Sequence, residues 1–236
     1  MSHFEYNQEE LDALKSRCKT LARYIDEIGF IQRGVIPGLY AALVNSIVGQ
    51  QISTKAQKTI WQRMQDKFGE ITPDNIMRYS EEEIQSCGIS MKKATYIKDA
   101  AEKVLSKELD LEALHTMPDA EVCRQLSGLK GIGVWTAEML MIFSMQRKDI
   151  FSFDDIAILR GLRMVYRHRK ITRELFEKYR RRFSPYASIA SLYLWEISVG
   201  TCGLKDCAPQ TEAQKKIKRK QNARNKKTTK DNQKNA

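Results

Sequence analysis

Apolar residues recur along this chain at three- and four-residue spacing. Leu39, Leu43, Ile47 and Val48 form one stripe, and Ile60, Trp61, Met64 and Phe68 form another. That is the period of a helix with one buried face. No segment sustains the two-residue alternation of a half-buried strand. The pattern predicts an all-α chain with helices over 7–28, 38–50, 54–68, 73–79, 81–86, 91–106, 111–115, 119–126, 134–145, 155–167, 172–183 and 185–199. The polar punctuation fits many short helices. Thr54-x-x-Gln57 and Ser80-x-x-Glu83 have the form of capping boxes. Thr72-Pro73 and Ser184-Pro185 each put a capping residue before a first-turn proline. Gly88 closes a short helix. From Lys215 to Ala236 apolar residues nearly vanish and Lys, Asn, Gln and Thr dominate. Such a composition cannot bury a core and is expected to be disordered.

Composition narrows the functional classes. The chain has 236 residues, 42% of them apolar, so one domain or a compact pair of lobes can bury a core. No apolar run reaches the length of a membrane span, and the first residues lack a basic stretch followed by an apolar one, so no secretory signal is expected. Five scattered cysteines (Cys18, Cys87, Cys123, Cys202, Cys207) argue against a disulfide framework and for a cytoplasmic protein. Cys202 and Cys207 are the one close pair, with too few neighbouring ligands for zinc or an iron–sulfur cluster. The net charge of +11 suggests a polyanionic partner. Residues 211–236 carry 10 Lys/Arg against 2 Asp/Glu, however, so +8 of that charge lies in the tail and +3 in the rest.

The most informative stretch runs from Leu126 to Ala137: Leu-Ser-Gly-Leu-Lys-Gly-Ile-Gly-Val-Trp-Thr-Ala. One predicted helix ends near Leu126 and another begins near Val134. Gly131 and Gly133 flank Ile132, which allows a tight hairpin with positive φ and an apolar plug. The amides of Gly131, Gly133 and the following helix start then face outward. Unpaired N–H groups at a helix N-terminus suit an anion such as a DNA phosphate. A plain glycine turn between two packed helices is the alternative.

The second informative stretch is Asp149-Ile-Phe-Ser-Phe-Asp-Asp-Ile-Ala-Ile158. Successive helical side chains point about 100° apart, so Asp154 and Asp155 cannot face the same place. Either both cap the helix, or one caps it while the other enters a cleft.

Taken together, these strings resemble the helix-hairpin-helix (HhH-GPD) DNA glycosylases, over roughly residues 35–205, with Lys130 in place of the usual hairpin proline. The resemblance is nearest to the bacterial 3-methyladenine glycosylase II, or alkylpurine, branch. Asp155 lies 24 residues beyond Gly131, where that family carries its catalytic aspartate; Asp154 would be structural. Trp135 stands where bifunctional members carry a Schiff-base lysine, so no strand-nicking lyase step is implied. Trp195, in Ser191-Leu-Tyr-Leu-Trp-Glu196, resembles the tryptophan lining the base pocket, where an indole face suits a cationic alkylated purine. The turn holding Gln50 and Gln51 matches the segment that fills the gap left by a flipped nucleotide. Either glutamine fits, Gln51 better. The carbonyls of Ser127, Leu129 and Ile132 would hold a structural Na⁺ or K⁺ bridging to phosphate. Arg160, Arg163 and Arg167 fall on one helix face, and with Lys130 they are candidate backbone contacts.

The resemblance implies a two-lobed helical fold with a DNA cleft. Residues 1–210 would form the glycosylase domain, with one lobe over about 39–129 and the other from 1–38 plus 135–210. A basic tail would follow over 211–236. The implied activity is monofunctional base excision of a damaged purine from double-stranded DNA, without an organic cofactor or catalytic metal, by a monomer with no membrane attachment. A non-enzymatic DNA-binding module, and a glycosylase for hypoxanthine, uracil or an oxidised purine, are the alternatives.

Overall fold

The computed structural model describes residues 2–209; the basic tail over 211–236 lies outside them. Among the described residues there are twelve α-helices and no strand beyond an isolated bridge between His3 and Gly34. The helices are α1 (Gln8–Arg17), α2 (Lys19–Ile28), α3 (Leu39–Gly49), α4 (Thr54–Phe68), α5 (Pro73–Met77), α6 (Glu81–Gln85), α7 (Met91–Leu105), α8 (Asp119–Ser127), α9 (Val134–Phe143), α10 (Ile156–Tyr166), α11 (Arg173–Phe183) and α12 (Ala187–Ser198). None is long and apolar enough to cross a membrane.

Several local signals act as their chemistry suggests. Ser80 and Glu83 form a reciprocal capping box, and Thr72 caps the helix that Pro73 begins. Gly88 takes φ +110 after α6. Others are corrected. The expected helix over 7–28 is two helices, because Cys18 leaves the helical region at φ −141, ψ 88 and lets α2 fold back on α1. The expected helix over 111–115 is a 3₁₀ turn, Ala113–Thr116. Thr54 is not a cap: Ser53 accepts from the Ala56 amide, and Gln57 reaches back to Asn45 instead. The last helix starts at Ala187, after an N-cap Tyr186 that makes no side-chain cap, while Ser184 Oγ donates to Asp149 Oδ2.

Helix α10 packs along α12 and touches α2, and α11 packs on α12 and α1. Helix α3 packs on α4, α7 and α9; α5 and α6 pack on α7, and α8 packs on α9. Residues Leu43, Ile47, Met64, Ile97, Leu140, Leu162 and Tyr193 are all within the core. The contact of α10 with α12 is set by Gly161. A Cβ there would stand 2.5 Å from the carbonyl oxygen of Leu194, so the two backbones approach only because no side chain intervenes. Since α10 begins beside Asp155, this contact also sets where that carboxylate lies.

Gly161→Ala should therefore force the helices apart and cost about 1–3 kcal/mol, as overpacking does. Thermal melting should fall by about 2–12 °C for a chain of this size. An unchanged melting temperature would contradict the role given to the contact.

Candidate functional site

The hairpin between α8 and α9 is pegged from both sides. Leu129 and Ile132 are buried, and the Ile132 amide donates to the Leu129 carbonyl at 3.1 Å. Gly131 is required twice: it takes φ +83, and a Cβ would lie 2.5 Å from the ring of Tyr96. Gly133 differs from expectation. It has φ −87 and open space around it, so only one of the two glycines uses the left-handed region. Gly133 is the N-cap of α9, and no side chain caps that end. The first amides of α9 thus lack an intrahelical or side-chain acceptor, and the flanking Val134 and Trp135 are exposed.

The hairpin carbonyls form a complementary feature. Among the described residues, those of Ser127 and Ile132 receive no hydrogen bond, while Leu129 accepts only from Ile132. These oxygens lie at the C-terminal, partially negative end of α8. Free carbonyl oxygens at such a place fit a monovalent cation.

Helix α7 supports this whole face. Tyr96 lies under Gly131, and Lys130 Nζ pairs with Asp99 at 2.6 Å. Lys93 Nζ donates to the carbonyls of Val48 at 2.9 Å and Gln50 at 2.7 Å, capping the end of α3. Burial lowers the Lys93 pKa from its ordinary value. Gln50 Nε2 then donates to the Gly131 carbonyl at 2.6 Å. The two glutamines are thereby separated. Gln50 braces the turn against the hairpin, and Gln51 stands exposed in the left-handed region at φ 58. Lys93 carries no motif, and its part follows only from how α7 crosses α3.

Asp155 is 6% exposed, among the few buried polar groups. It is itself the N-cap of α10, with Oδ1 accepting from the amides of Ala157 at 2.8 Å and Ile158 at 2.9 Å. Oδ2 accepts from Trp135 Nε1 at 2.9 Å. All three partners are donors, which suits an acceptor-only carboxylate. This corrects the division of labour expected between the two acids: Asp154 is exposed and caps nothing, so capping and the candidate chemistry coincide on Asp155. Exposed Trp135 and Ile156 flank the carboxylate, Ile156 at 78%. Glu138, one turn beyond Trp135, is a second carboxyl that motif reading missed. Burial raises its pKa, Ser152 and Arg173 oppose that, and Asp154 and Asp155 reinforce it. Its Oε2 has no hydrogen-bond partner.

Other expected residues are placed differently. Trp195 is half-buried and packs against Phe143 at 5.4 Å between ring centroids, not against Trp135. Arg163 is not free for a phosphate, because its Nε and a terminal nitrogen are bound to Asp206 at 2.7 and 2.6 Å. Arg160 stays exposed, 3.7 Å from the same carboxylate. Arg167 lies past the helix in the left-handed region, so the three arginines do not form one stripe. The structure thus joins Gln50, the hairpin, Trp135 and Asp155 into one surface and leaves Arg163 in a structural clasp.

The all-helical fold thus sets an uncapped hairpin helix next to a buried aspartate. A family model described as HhH-GPD superfamily base excision DNA repair protein matches residues 44–185. DNA-3-methyladenine glycosylase 1 of Schizosaccharomyces pombe is 32% identical over 164 residues, covering 67% of this chain and 72% of that protein. A solved DNA-3-methyladenine glycosidase from Bacillus halodurans superimposes with a TM-score of 0.78 at 31% identity, covering 88% of this chain and 97% of that one. The S. pombe 3-methyladenine DNA glycosylase in complex with abasic DNA gives 0.70 at 27% identity, over 81% and 97%. This chain belongs to the HhH-GPD superfamily of base excision DNA repair proteins.

The two hairpin glycines should separate experimentally. Gly131→Ala meets both a forbidding φ and the Tyr96 ring and should destabilise the protein by roughly 1–3 kcal/mol. Gly133→Ala meets no neighbouring atom, so it should cost no more than the roughly 1 kcal/mol of a poorer N-cap, while lowering affinity for every duplex alike if the α9 amides take a phosphate. A sequence-dependent loss in Gly133→Ala, measured by fluorescence anisotropy, would count against a backbone anchor.

Proposed function

We propose that this protein hydrolyses the N-glycosidic bond of alkylated purine nucleotides in duplex DNA, leaving an abasic site, with Asp155 as the catalytic carboxylate. The observation that carries the reading is a buried carboxylate held by three donors beside an exposed indole, next to a helix end that suits a phosphate. A module that only bound DNA would gain nothing from burying a negative charge there.

The amides opening α9 receive a backbone phosphate and set the register without reading sequence. The carbonyls of Ser127, Leu129 and Ile132 would hold a Na⁺ or K⁺, whose charge would offset that of a phosphate at the hairpin. Exposed Arg160 adds positive charge, whereas the charge of Lys130 is met by Asp99. Gln51 projects from the braced turn into the space of the flipped nucleotide, whose C1′ is unreachable while stacked. As the base departs, positive charge develops on the sugar. The carboxylate of Asp155 stabilises that charge at fixed distance, with no reorganisation needed because its donors already hold it. Asp155 also orients the attacking water or takes its proton. Trp135 fixes Oδ2 and offers an indole edge to the nucleotide, and Trp195 backs the wall on which the base rests. Alkylation makes the base a good leaving group, so no strong acid is required to protonate it.

Asp155→Asn keeps a competent cap but removes the charge and turns an amide toward the Trp135 N–H. Single-turnover base release should fall by on the order of 10² or more, while affinity for lesion or abasic duplex holds or rises. Wild-type rates in this variant would end the mechanism. Asp154→Asn should be nearly silent in both rate and stability, whereas Asp155→Ala should also lose about 1 kcal/mol of capping.

No amine stands at Trp135, so borohydride should trap no covalent complex with abasic DNA. Efficient trapping through a lysine of this chain would refute a purely hydrolytic enzyme.

A further inference from the structure

A cavity of about 360 Å³ opens between α3 and α9, lined by Asn45, Gln57, Met139, Phe143 and Ser144 among others. Trp135, Met139 and Phe143 succeed one another at four-residue intervals, so they share one face of α9. The first of them binds Asp155, and the other two line the cavity. Met139 lies about 6 Å along the axis from Trp135, a distance comparable to the width of a purine. A nucleotide whose C1′ stood at Asp155 would deliver its base here.

The polar groups in this wall have fixed orientations. Gln57 Nε2 donates to the backbone carbonyl of Asn45 at 3.0 Å, which identifies that atom as the nitrogen, because a carbonyl only accepts. The same Nε2 lies 2.9 Å from the side chain of Asn45, so the Asn45 atom facing it is Oδ1. Gly49 makes room for this arrangement, since a Cβ there would stand 2.4 Å from Gln57 Nε2. With Oδ1 engaged, Asn45 Nδ2 is turned away from Gln57 and finds no acceptor among the described residues. Ser144 Oγ is buried at the same cavity without a partner. The cavity therefore holds an oriented amide donor with its acceptor side already spent.

We infer that Asn45 is a specificity-determining residue, donating from Nδ2 to an oxo acceptor on the edge of the flipped base, so that the pocket favours 6-oxopurines over 6-aminopurines. This rests on the glycosylase reading above. A 6-oxo group accepts the amide hydrogen. A 6-amino group at the same place sets donor against donor and leaves both unpaired once the base itself fills the cavity. Gln57 acts only as a positioning residue, by preventing the amide from rotating through 180°.

DNA treated with a methylating agent supplies both classes in one substrate. 7-Methylguanine carries a 6-oxo group and 3-methyladenine a 6-amino group, and both bases are cationic, so their ratio is insensitive to charge. Single-turnover release of each would be followed by chromatography, with spontaneous release subtracted. Asn45→Asp keeps an oxygen toward Gln57 and replaces the donor by an acceptor. It should lower the ratio of 7-methylguanine to 3-methyladenine about tenfold relative to wild type, the effect of one hydrogen bond. Gln57→Ala, which frees the amide to rotate, should move the ratio the same way by a smaller factor. Melting temperatures of both variants establish that they fold. An unchanged ratio in folded Asn45→Asp would overturn this inference and leave the glycosylase reading intact. Failure of the wild type to release either base would overturn the glycosylase reading itself.

Discussion

One carboxylate is held between two helices, and most of the functional face depends on that bond. Asp155 ends a loop and begins α10, so two amides of that helix fix Oδ1. Trp135 sits in the first turn of α9, so the same carboxylate is tied through Oδ2 to the element that follows the hairpin. The position of α9 thus determines where the acid points, and the position of α10 determines how deep it lies. Gly161 lets α10 approach α12 closely enough to hold that depth. Moving either helix by an ångström would break a 2.9 Å contact and leave a buried charge short of a donor, which is expensive in a dry site.

The same constraint explains why α7 matters although it contributes nothing to the chemistry. It supports the hairpin through Tyr96 and Asp99 and the α3 turn through Lys93. Gln50 closes the circuit by bonding the turn to the hairpin. Three chain segments far apart in sequence therefore present Gln51, the uncapped amides of α9 and the carboxylate as one surface. Such preorganisation is what electrostatic stabilisation of a short-lived cation demands, because the groups must be in place before charge develops.

Much of this was legible along the chain. Helical periodicity identified the elements, and the strings around Gly131 and Asp155 carried the family resemblance. Ile132 as plug and Gly131 as the left-handed residue follow from residue type, since few other side chains satisfy both demands. Errors arose where local chemistry had competing outlets. Ser53, not Thr54, took the cap because Gln57 was drawn away to Asn45. Cys18 interrupts a long apolar period because two helices packed side by side bury more than one extended helix can.

The sequence by itself determined an all-α chain, a glycine hairpin, and an aspartate 24 residues beyond Gly131. These depend on backbone conformational limits and on spacing, both local properties. Tertiary structure alone decided which partner each polar group takes. It gave Asp155 both the cap and the bond to Trp135 and left Asp154 in solvent, because only one of two adjacent side chains can face the helix amides. It withdrew Arg163 into a clasp with Asp206, 43 residues away. It brought in Lys93, Glu138 and Asn45, none of which belongs to a motif, because helices that cross in space put those side chains against groups that no linear spacing relates.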